Sequence, residues 1–244
     1  MPKGRPFLTA RWQCLLMLNY ACPAELLLPH LPVGVELDPW EGEFLISVVG
    51  FMFLDTKVMG VSFPGHRDFE EVNLRFYVRR TARNGEVRRG VVFVRELVPK
   101  PLIAWTARTL YEEPYLAVPM GHRIDLLPET GGSVEYTWSL AGNSYLLKGR
   151  AEGPAMPLQE GSEEEFITEH YWGYTKRSKG PASEYHVAHP KWRVWRCSES
   201  SLTGDLLALY GTDFARVMQN GPRSALLAVG SESAVYPGHR LSSP

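Results

Sequence analysis

The segment EEVNLRFYVRRTARNGEVRRGVVFVREL, residues 70–97, carries the strongest fold signal in the chain. It contains two runs rich in β-branched and aromatic residues, separated by Asn84-Gly85. This dipeptide favours a type I′ turn, because both central residues of that turn need positive φ. We therefore predict a β-hairpin with a two-residue loop at this dipeptide, in which Asn73 lies opposite Glu96.

The predicted hairpin has one apolar and one polar face, because side chains alternate along a strand. The apolar face carries Val72, Leu74, Phe76, Val78, Phe93 and Leu97. The polar face carries Glu71, Asn73, Arg75, Tyr77 and Glu96, with Arg75 opposite Val94. In a closed barrel the polar face lines an internal pocket, whereas in an open sheet it is solvated.

Strand-like runs also dominate the rest of the chain. Besides the two runs of the hairpin, Glu70–Arg80 and Glu86–Leu97, they are Leu8–Tyr20, Gly42–Phe53, Ser133–Leu140, Ser144–Ala151, Tyr185–Arg196 and Ser224–Tyr236. Helices are predicted over Pro23–Pro29, Pro101–Glu112, Glu163–Tyr171 and Asp213–Gln219. Many antiparallel strands with few helices predict a β-rich α+β fold: a coiled or closed antiparallel β-barrel with an internal pocket and a few peripheral helices.

Composition narrows the class of protein. The 244 residues are 44% hydrophobic, and no linker-like stretch divides them, which favours a single domain over residues 1–244. The net charge of −1 argues against nucleic-acid and anionic-membrane partners. The longest apolar run, Phe44–Leu54, is too short for a membrane helix, and three cysteines without zinc-type spacing favour reduced thiols. We expect a cytoplasmic protein with a small-molecule partner, and the sequence leaves monomer or homo-oligomer open.

Lys100 follows the hairpin directly, between an apolar strand and a predicted helix. The chain contains 7 lysines against 19 arginines. An amine beside apolar surface can lose its proton near neutral pH and attack a carbonyl carbon, whereas arginine stays protonated. If the extended path continues past Pro99, Lys100 projects on the polar face within side-chain reach of Glu71. The alternative is a lysine that ends the strand and extends into water.

Six segments resemble the acetoacetate decarboxylase-like superfamily, and more closely its YqjF-like branch of uncharacterised bacterial proteins. The resemblance covers most of the chain. It is carried by Phe7–Trp12, Leu31–Leu37, Phe69–Val78, Arg95–Lys100, Glu169–Tyr174 and His189–Trp192.

The resemblance implies a barrel fold and suggests roles for individual residues. In the decarboxylases an Arg-Glu strand end runs into Tyr-Pro-Lys-Lys, where the first lysine forms a Schiff base with the substrate and the second lowers its pKa. Pro99-Lys100 matches the first lysine position, but Pro101 stands where the second lysine would be, and the interval after Glu96 is shorter. Arg11 is the best counterpart of an arginine that lines the pocket of the enzymes.

These observations lead to a hypothesis of Schiff-base chemistry on a small keto acid. Lys100 would condense with the carbonyl group, and Glu71 or Glu96 would move protons. Arg11 or Arg75 would hold the substrate carboxylate, with Asn73 beside them in the binding site. The hypothesis requires no cofactor and no metal.

Other interpretations remain open at this point. The barrel could bind or sense a small hydrophobic metabolite without catalysis, or serve as a structural module. His186 and His189 could be metal ligands with His170 or Glu169, but residues i and i+3 of a strand point to opposite faces. Packing or hydrogen-bonding roles are therefore favoured for these histidines.

Overall fold

The computed structural model describes residues 4–241, without the side chains of residues 110 and 111. The predicted single domain over residues 1–244 extends at both ends beyond this range and stays a prediction. The strands are β1 (Leu8–Ala21), β2 (Glu36–Leu37), β3 (Leu45–Val58), β4 (Phe69–Thr81), β5 (Val87–Val98), β6 (Tyr115–Ala117), β7 (Met120–Leu127), β8 (Gly131–Leu140), β9 (Asn143–Glu152), β10 (Met156–Pro157), β11 (Trp172–Thr175), β12 (Ser183–Ala188), β13 (Arg193–Arg196), β14 (Glu199–Thr203), β15 (Ser224–Val235) and β16 (His239–Arg240).

Seven of these strands close into a barrel in the order β15-β1-β3-β4-β5-β11-β12. Closure comes from the pairing of β12 with β15, where Val187 lies opposite Val235 and Ala188 opposite Ala234. Every pair in the barrel is antiparallel except β5–β11, which is parallel. The predicted β-barrel is confirmed, with this one parallel pair as a departure from the predicted antiparallel sheet.

The helices are short. They are α1 (Ala24–Leu27), α2 (Pro101–Thr106), α3 (Glu163–Thr168) and α4 (Leu206–Met218), with a 3₁₀ turn at Leu28–His30 and a π-helical turn at Ala107–Tyr111. Residues of α2 and α3 pack against the core inside the barrel. No helix among the described residues is long and apolar enough to cross a membrane.

The first residues of two helices can be compared with the helix starts predicted from the sequence. Ser162 caps α3 as predicted, because its hydroxyl accepts a hydrogen bond from the Glu165 amide at 3.2 Å. In contrast, α4 begins at Leu206 and not at the predicted Asp213. Asp205 caps this earlier start, and Gly211, with φ 81° and ψ 171°, kinks the helix in its middle. The kink interrupts the helical periodicity, so the sequence pattern predicts only the second half of α4.

A second sheet, of order β14-β9-β8-β7, packs on the outer face of the barrel. Its side chains share one core with residues of β1, β3 and β4, and two glycines allow the close approach. A Cβ at Gly50 would lie 2.6 Å from a ring carbon of Tyr136, and one at Gly149 would lie 2.4 Å from Leu16. The apolar face of the hairpin is thus buried between the barrel and the second sheet.

In the hairpin of β4 and β5, Asn73 has its predicted partner, Glu96, but the loop and the register differ from those predicted. The loop has three residues and not two, because Ala82 pairs with Glu86 and only Gly85 has positive φ. A β-bulge then shifts the register by one residue, so that Arg75 lies opposite Phe93 and not Val94. The two deviations cancel, and Asn73 faces Glu96 as expected. The bulge also moves Phe93 from the predicted apolar face to the barrel interior.

Candidate functional site

The polar face of β4 faces the barrel interior. Phe69 and Tyr77, at either end of this face, belong to the interior core with residues of β1, β3 and β15, whereas the alternate residues Val72 and Leu74 contact the second sheet. Since side chains alternate, Glu71, Asn73 and Arg75 also point inward. On β5 the same argument turns Glu96 inward, because Leu97 points outward and Val98 points inward.

The interior is not filled completely by side chains. Arg75 and Phe93 keep accessible surface although their neighbours on β4 and β5 are largely buried. Tyr115 and Tyr185 are likewise only partly buried, next to carboxyl groups that are almost completely buried. Such a pattern in the middle of a closed barrel indicates an internal pocket beside these residues.

Three glutamates meet at this pocket. The Glu71 carboxylate accepts hydrogen bonds from the Asn73 amide at 2.9 Å and from the Tyr115 hydroxyl at 3.0 Å. Glu96 is the direct partner of Tyr115 in the β5–β6 pairing, and it is 2% exposed. Glu113 precedes β6 and accepts a hydrogen bond from the Thr175 hydroxyl at 2.6 Å. We call Glu71, Glu96 and Glu113 the acid cluster.

Burial disfavours ionisation of the acid cluster. Loss of hydration raises the pKa of Glu71 and that of Glu113 to about 7, against the hydrogen bonds that favour their charged forms. The pKa of Glu96 is raised well above its ordinary value, first by burial and then by the nearby charges of Glu113 and Glu71. Carboxyl groups that titrate near neutral pH can both donate and accept protons at that pH.

Tyr185 lies against Glu113 because residue 173 is a glycine. Gly173 on β11 is the direct partner of Tyr185, and the tyrosine ring lies over this glycine. A Cβ at residue 173 would lie 2.0 Å from the ring carbon that bears the hydroxyl. The Tyr185 hydroxyl interacts with Glu113, and both the burial of the phenol and the nearby carboxylates raise the tyrosine pKa well above its ordinary value. Tyr185 is thus a proton-bearing group at neutral pH.

Arg75 is the cation that acts on the acid cluster. Its Nη2 donates to the carbonyl oxygen of Ile167 in α3 at 3.3 Å, and its charge lowers the pKa of Glu71. Its Nε is buried and has no hydrogen-bond partner among the described residues. Arg75 therefore combines accessible surface with free donor capacity, as a binding site for a carboxylate requires.

Comparison with known proteins supplies the family. The model of the DUF2071 family, described as "Uncharacterized conserved protein (COG2071)", matches residues 9–232. The chain belongs to this family. It is 27% identical over 121 residues to the uncharacterized protein YqjF of Bacillus subtilis (strain 168), which covers 49% of this chain and 48% of YqjF. The match thus spans about half the length of that curated relative.

Solved structures share the fold of this DUF2071 protein. Acetoacetate decarboxylase from Legionella pneumophila superposes with a TM-score of 0.66 at 13% identity, covering 99% of this chain and 92% of the other. The enduracididine biosynthesis enzyme MppR, complexed with pyruvate, gives 0.68 at 13% identity over 99% and 92%. An acetoacetate decarboxylase-like enzyme from Sphingomonas wittichii RW1 gives 0.66 at 14% identity over 99% and 95%. The chain has an acetoacetate decarboxylase-like fold, and these neighbours are enzymes.

Lys100 lies at the start of α2 and is half buried. It lines a depression of about 440 Å³ whose other walls come from the connection between β3 and β4, with Phe63, Arg67 and Asp68 among them. No hydrogen bond or ion pair joins Lys100 to the acid cluster within residues 4–241. Four extended residues separate its Cα from that of Glu96 by about 13 Å. The depression and the acid cluster therefore lie at the same end of β5, with the depression at the rim of the barrel.

Arg11 is on the outer side of the barrel wall. Its neighbours Ala10 and Trp12 pack with the interior core, so alternation directs Arg11 outward. There it forms an ion pair with Asp55 at 3.2 Å, and Asp55 is shared with Arg67 from the depression. The structure thus brings Glu71, Asn73, Arg75 and Glu96 together and leaves Arg11 and Lys100 at the rim. The substrate-binding role of Arg11 stays a prediction.

The sequence interpretation missed Glu113, Tyr115, Thr175 and Tyr185. Local patterns do not group these residues, because they come from β6 and the segment before it, from β11 and from β12, which are far apart in the chain. The only local signal was Glu112-Glu113, two acids between an apolar helix and the apolar strand Tyr115–Ala117.

The histidines take packing positions. His170 is buried against the Tyr77 and Phe166 rings, and its Nε2 lies 3.3 Å from Asp38, while desolvation lowers its pKa to about 4. His189 stacks on Trp192 with 4.1 Å between ring centroids. Within residues 4–241, no group of three or more His, Cys, Asp or Glu side chains is arranged to hold a metal ion.

Proposed function

We propose that the barrel interior binds a small keto acid or a related carbonyl compound, and that the acid cluster moves protons to and from it. The observation that carries this proposal is the meeting of three buried carboxyl groups beside an internal pocket that also holds Arg75. A buried carboxyl group that titrates near pH 7 costs stability, so that its retention in a protein favours a chemical role over a structural one.

The neighbours in fold support the choice of ligand. MppR is complexed with pyruvate in one structure, and in a second structure with the condensation product of pyruvate and imidazole 4-carboxaldehyde. Arg75 supplies a guanidinium for a ligand carboxylate, and protonated Tyr185 supplies a donor for a carbonyl oxygen. Glu71 in its ionised form would accept a proton from the carbon next to the carbonyl group.

The finer form of the proposal adds a Schiff base at Lys100. The uncharged amine forms a bond to the carbonyl carbon, and the carbonyl oxygen leaves as water. The iminium then accepts the electron pair of an adjacent bond, as a C–H proton passes to a glutamate or a carboxylate leaves as CO₂. Reprotonation of carbon and hydrolysis of the imine release the product and restore the amine. This form requires the Lys100 side chain to turn from the outer depression into the barrel.

The test of proton transfer is deuterium exchange. Pyruvate in D₂O is followed by NMR with the wild type, with Glu71→Gln and with the control Glu135→Gln, whose residue lies on β8 outside the barrel. We expect exchange of the methyl protons that falls at least about a hundredfold in Glu71→Gln, in line with general-base contributions, and stays unchanged in the control. Absence of exchange with both pyruvate and acetoacetate would refute proton transfer to these ligands.

The test of the Schiff base is reductive trapping. The protein is incubated with acetoacetate or pyruvate and borohydride, and the expected result is a mass adduct on Lys100 that disappears in Lys100→Arg. Lys148 on β9 is the matched control lysine and should remain unmodified. An unmodified Lys100 at saturating ligand removes the imine and leaves the general acid–base proposal standing.

A second candidate is a barrel that binds a small metabolite without catalysis. The place of Lys100 favours it, since this amine lines an outer depression and has no polar contact with the acid cluster. Ordinary reactivity of Lys100 toward an amine reagent near neutral pH, together with ligand binding but no deuterium exchange, would select this function.

A further inference from the structure

The charges and hydrogen-bonding groups at the acid cluster are unbalanced. Three carboxyl groups face the pocket, and Arg75 is the cation that acts on Glu71. The other polar groups that face the cluster are uncharged: Asn73 from β4, Tyr115 from β6, Thr175 from β11 and Tyr185 from β12. At full ionisation the cluster would therefore carry an excess of negative charge that the protein does not neutralise.

Acceptor atoms also exceed donors. The Asn73 amide has two protons to donate, and the hydroxyls of Tyr115, Thr175 and Tyr185 have one each, whereas each ionised carboxylate offers about four acceptor positions. Glu96 Oε2 and Asn73 Oδ1 are buried acceptors with no hydrogen-bond partner among the described residues. Both side chains are 2% exposed and are direct partners across β4 and β5. Two unpartnered oxygens thus lie on paired residues beside a pocket that becomes negatively charged when the acid cluster ionises.

We propose that the ligand of this site carries a positively charged nitrogen, an ammonium or amidinium group, which donates to Glu96, Asn73 and Glu113. This inference rests on the proposed function and names its substrate class: a small amino keto acid rather than a simple one. An ammonium group offers three donors and one positive charge, which is what the acid cluster lacks. The opposite end of the ligand, with its carboxylate, would take the guanidinium of Arg75. Arg75 lies four residues from Glu71 along β4, about 13 Å between Cα atoms, so that side chains reaching inward leave room for a five-carbon acid.

Binding of such a ligand has a consequence for protons. A cation near Glu71 and Glu113, whose pKa values are about 7, favours their ionised forms. The protein must then release protons when an amino keto acid binds near neutral pH. A keto acid without the ammonium group brings negative charge, and its binding must take up protons or leave their number unchanged.

The experiment uses a matched pair of ligands. 5-Amino-4-oxopentanoate and 4-oxopentanoate differ only by the ammonium group, and their binding is measured by calorimetry near pH 7 in buffers of different ionisation enthalpy. We expect 5-amino-4-oxopentanoate to bind at least about tenfold more tightly than 4-oxopentanoate, and we expect its binding to release protons from the protein. Glu96→Gln should lower the affinity ratio below about threefold, and the control Glu135→Gln should leave it unchanged.

The outcomes separate this inference from the proposed function. The inference would be overturned by equal affinities of the two ligands or by proton uptake when 5-amino-4-oxopentanoate binds. It would also be overturned if neither ligand bound at millimolar concentration. If both ligands exchange deuterium but bind equally well, only the substrate class is lost. If 5-amino-4-oxopentanoate binds more tightly and releases protons but never exchanges deuterium, the inferred ligand class stands and the proposed proton transfer is refuted.

Discussion

Buried carboxyl groups lie on both faces of the same part of the barrel wall. On the outer face, Glu184 of β12 is completely buried and pairs with Arg80 at 3.1 Å and with Arg88 at 2.5 Å. On the inner face, the next residue of the strand, Tyr185, leads to the acid cluster, where three carboxyl groups face one guanidinium. The outer carboxylate is neutralised by two arginines, as in a structural ion pair. The inner carboxyl groups have raised pKa values because burial disfavours their ionised forms. The difference suggests that the outer group maintains the barrel and the inner group serves a ligand.

The largest expected effect concerns the outer face. Glu184→Gln leaves two guanidiniums, each with less than a fifth of its side chain exposed, without this counter-charge. Breaking such a pair costs about 3 to 5 kcal/mol, or about 6 to 12 °C in Tm for a chain of this size. Calorimetric unfolding measures the change. A loss of less than about 1 kcal/mol would mean that the outer pairs are not the structural counterpart of the acid cluster.

The second prediction moves the Tyr185 ring. Gly173→Ala introduces a Cβ that overlaps the ring, so we expect a loss of about 1 to 3 kcal/mol in the free energy of unfolding and weaker proton exchange on pyruvate. Gly121→Ala on β7 is the control, since its Cβ would lie 3.2 Å from the Thr137 hydroxyl. Denaturant midpoints and exchange rates are compared for both variants. Full exchange in Gly173→Ala would remove Tyr185 from the site.

The third prediction concerns pH. Unfolded Glu113 loses its proton near its ordinary pKa of 4.5, whereas the folded protein keeps it up to about 7. Glu113 therefore contributes a loss of wild-type stability as pH rises from about 4.5 to 7, and Glu113→Gln avoids this loss. We expect the variant to gain about 1 to 3 kcal/mol at pH 8 and little near pH 4.5, measured as Tm across this range. A variant that is less stable throughout would show that the buried carboxylate stabilises the fold.

The smallest effect is expected at the rim. Arg67→Gln removes one of the two guanidiniums at Asp55, in an exposed ion pair. Such pairs contribute about 0.2 to 1 kcal/mol, and salt screens them. Stability should change by no more than this and the difference should shrink at high salt. A loss comparable to that of Glu184→Gln would mean that the rim, and not the outer wall, holds the barrel together.

The strand pattern predicted much of the fold because it reflects local chemistry. Alternation on β4 placed Glu71, Asn73 and Arg75 on one face, and this result does not depend on the register of the hairpin. The pairing of Asn73 with Glu96 was right only because a longer loop and a bulge compensated each other. The run Tyr185–Arg196, predicted as one strand, is two strands, β12 and β13, separated around Pro190, which has no amide hydrogen to donate to a ladder.

By itself, the sequence determined the polar and apolar faces of the strands, the cap of α3 and the resemblance to a barrel family. These follow from side-chain alternation and short-range hydrogen bonds, which act over a few residues. Only the tertiary structure decided which polar face became an interior and that Glu113 and Tyr185 join Glu71 there. It also decided that Lys100 and Arg11 stand at the rim. The reason is that closure of β12 on β15, and the desolvation that raises the pKa values of the acid cluster, arise from contacts between residues far apart in the chain.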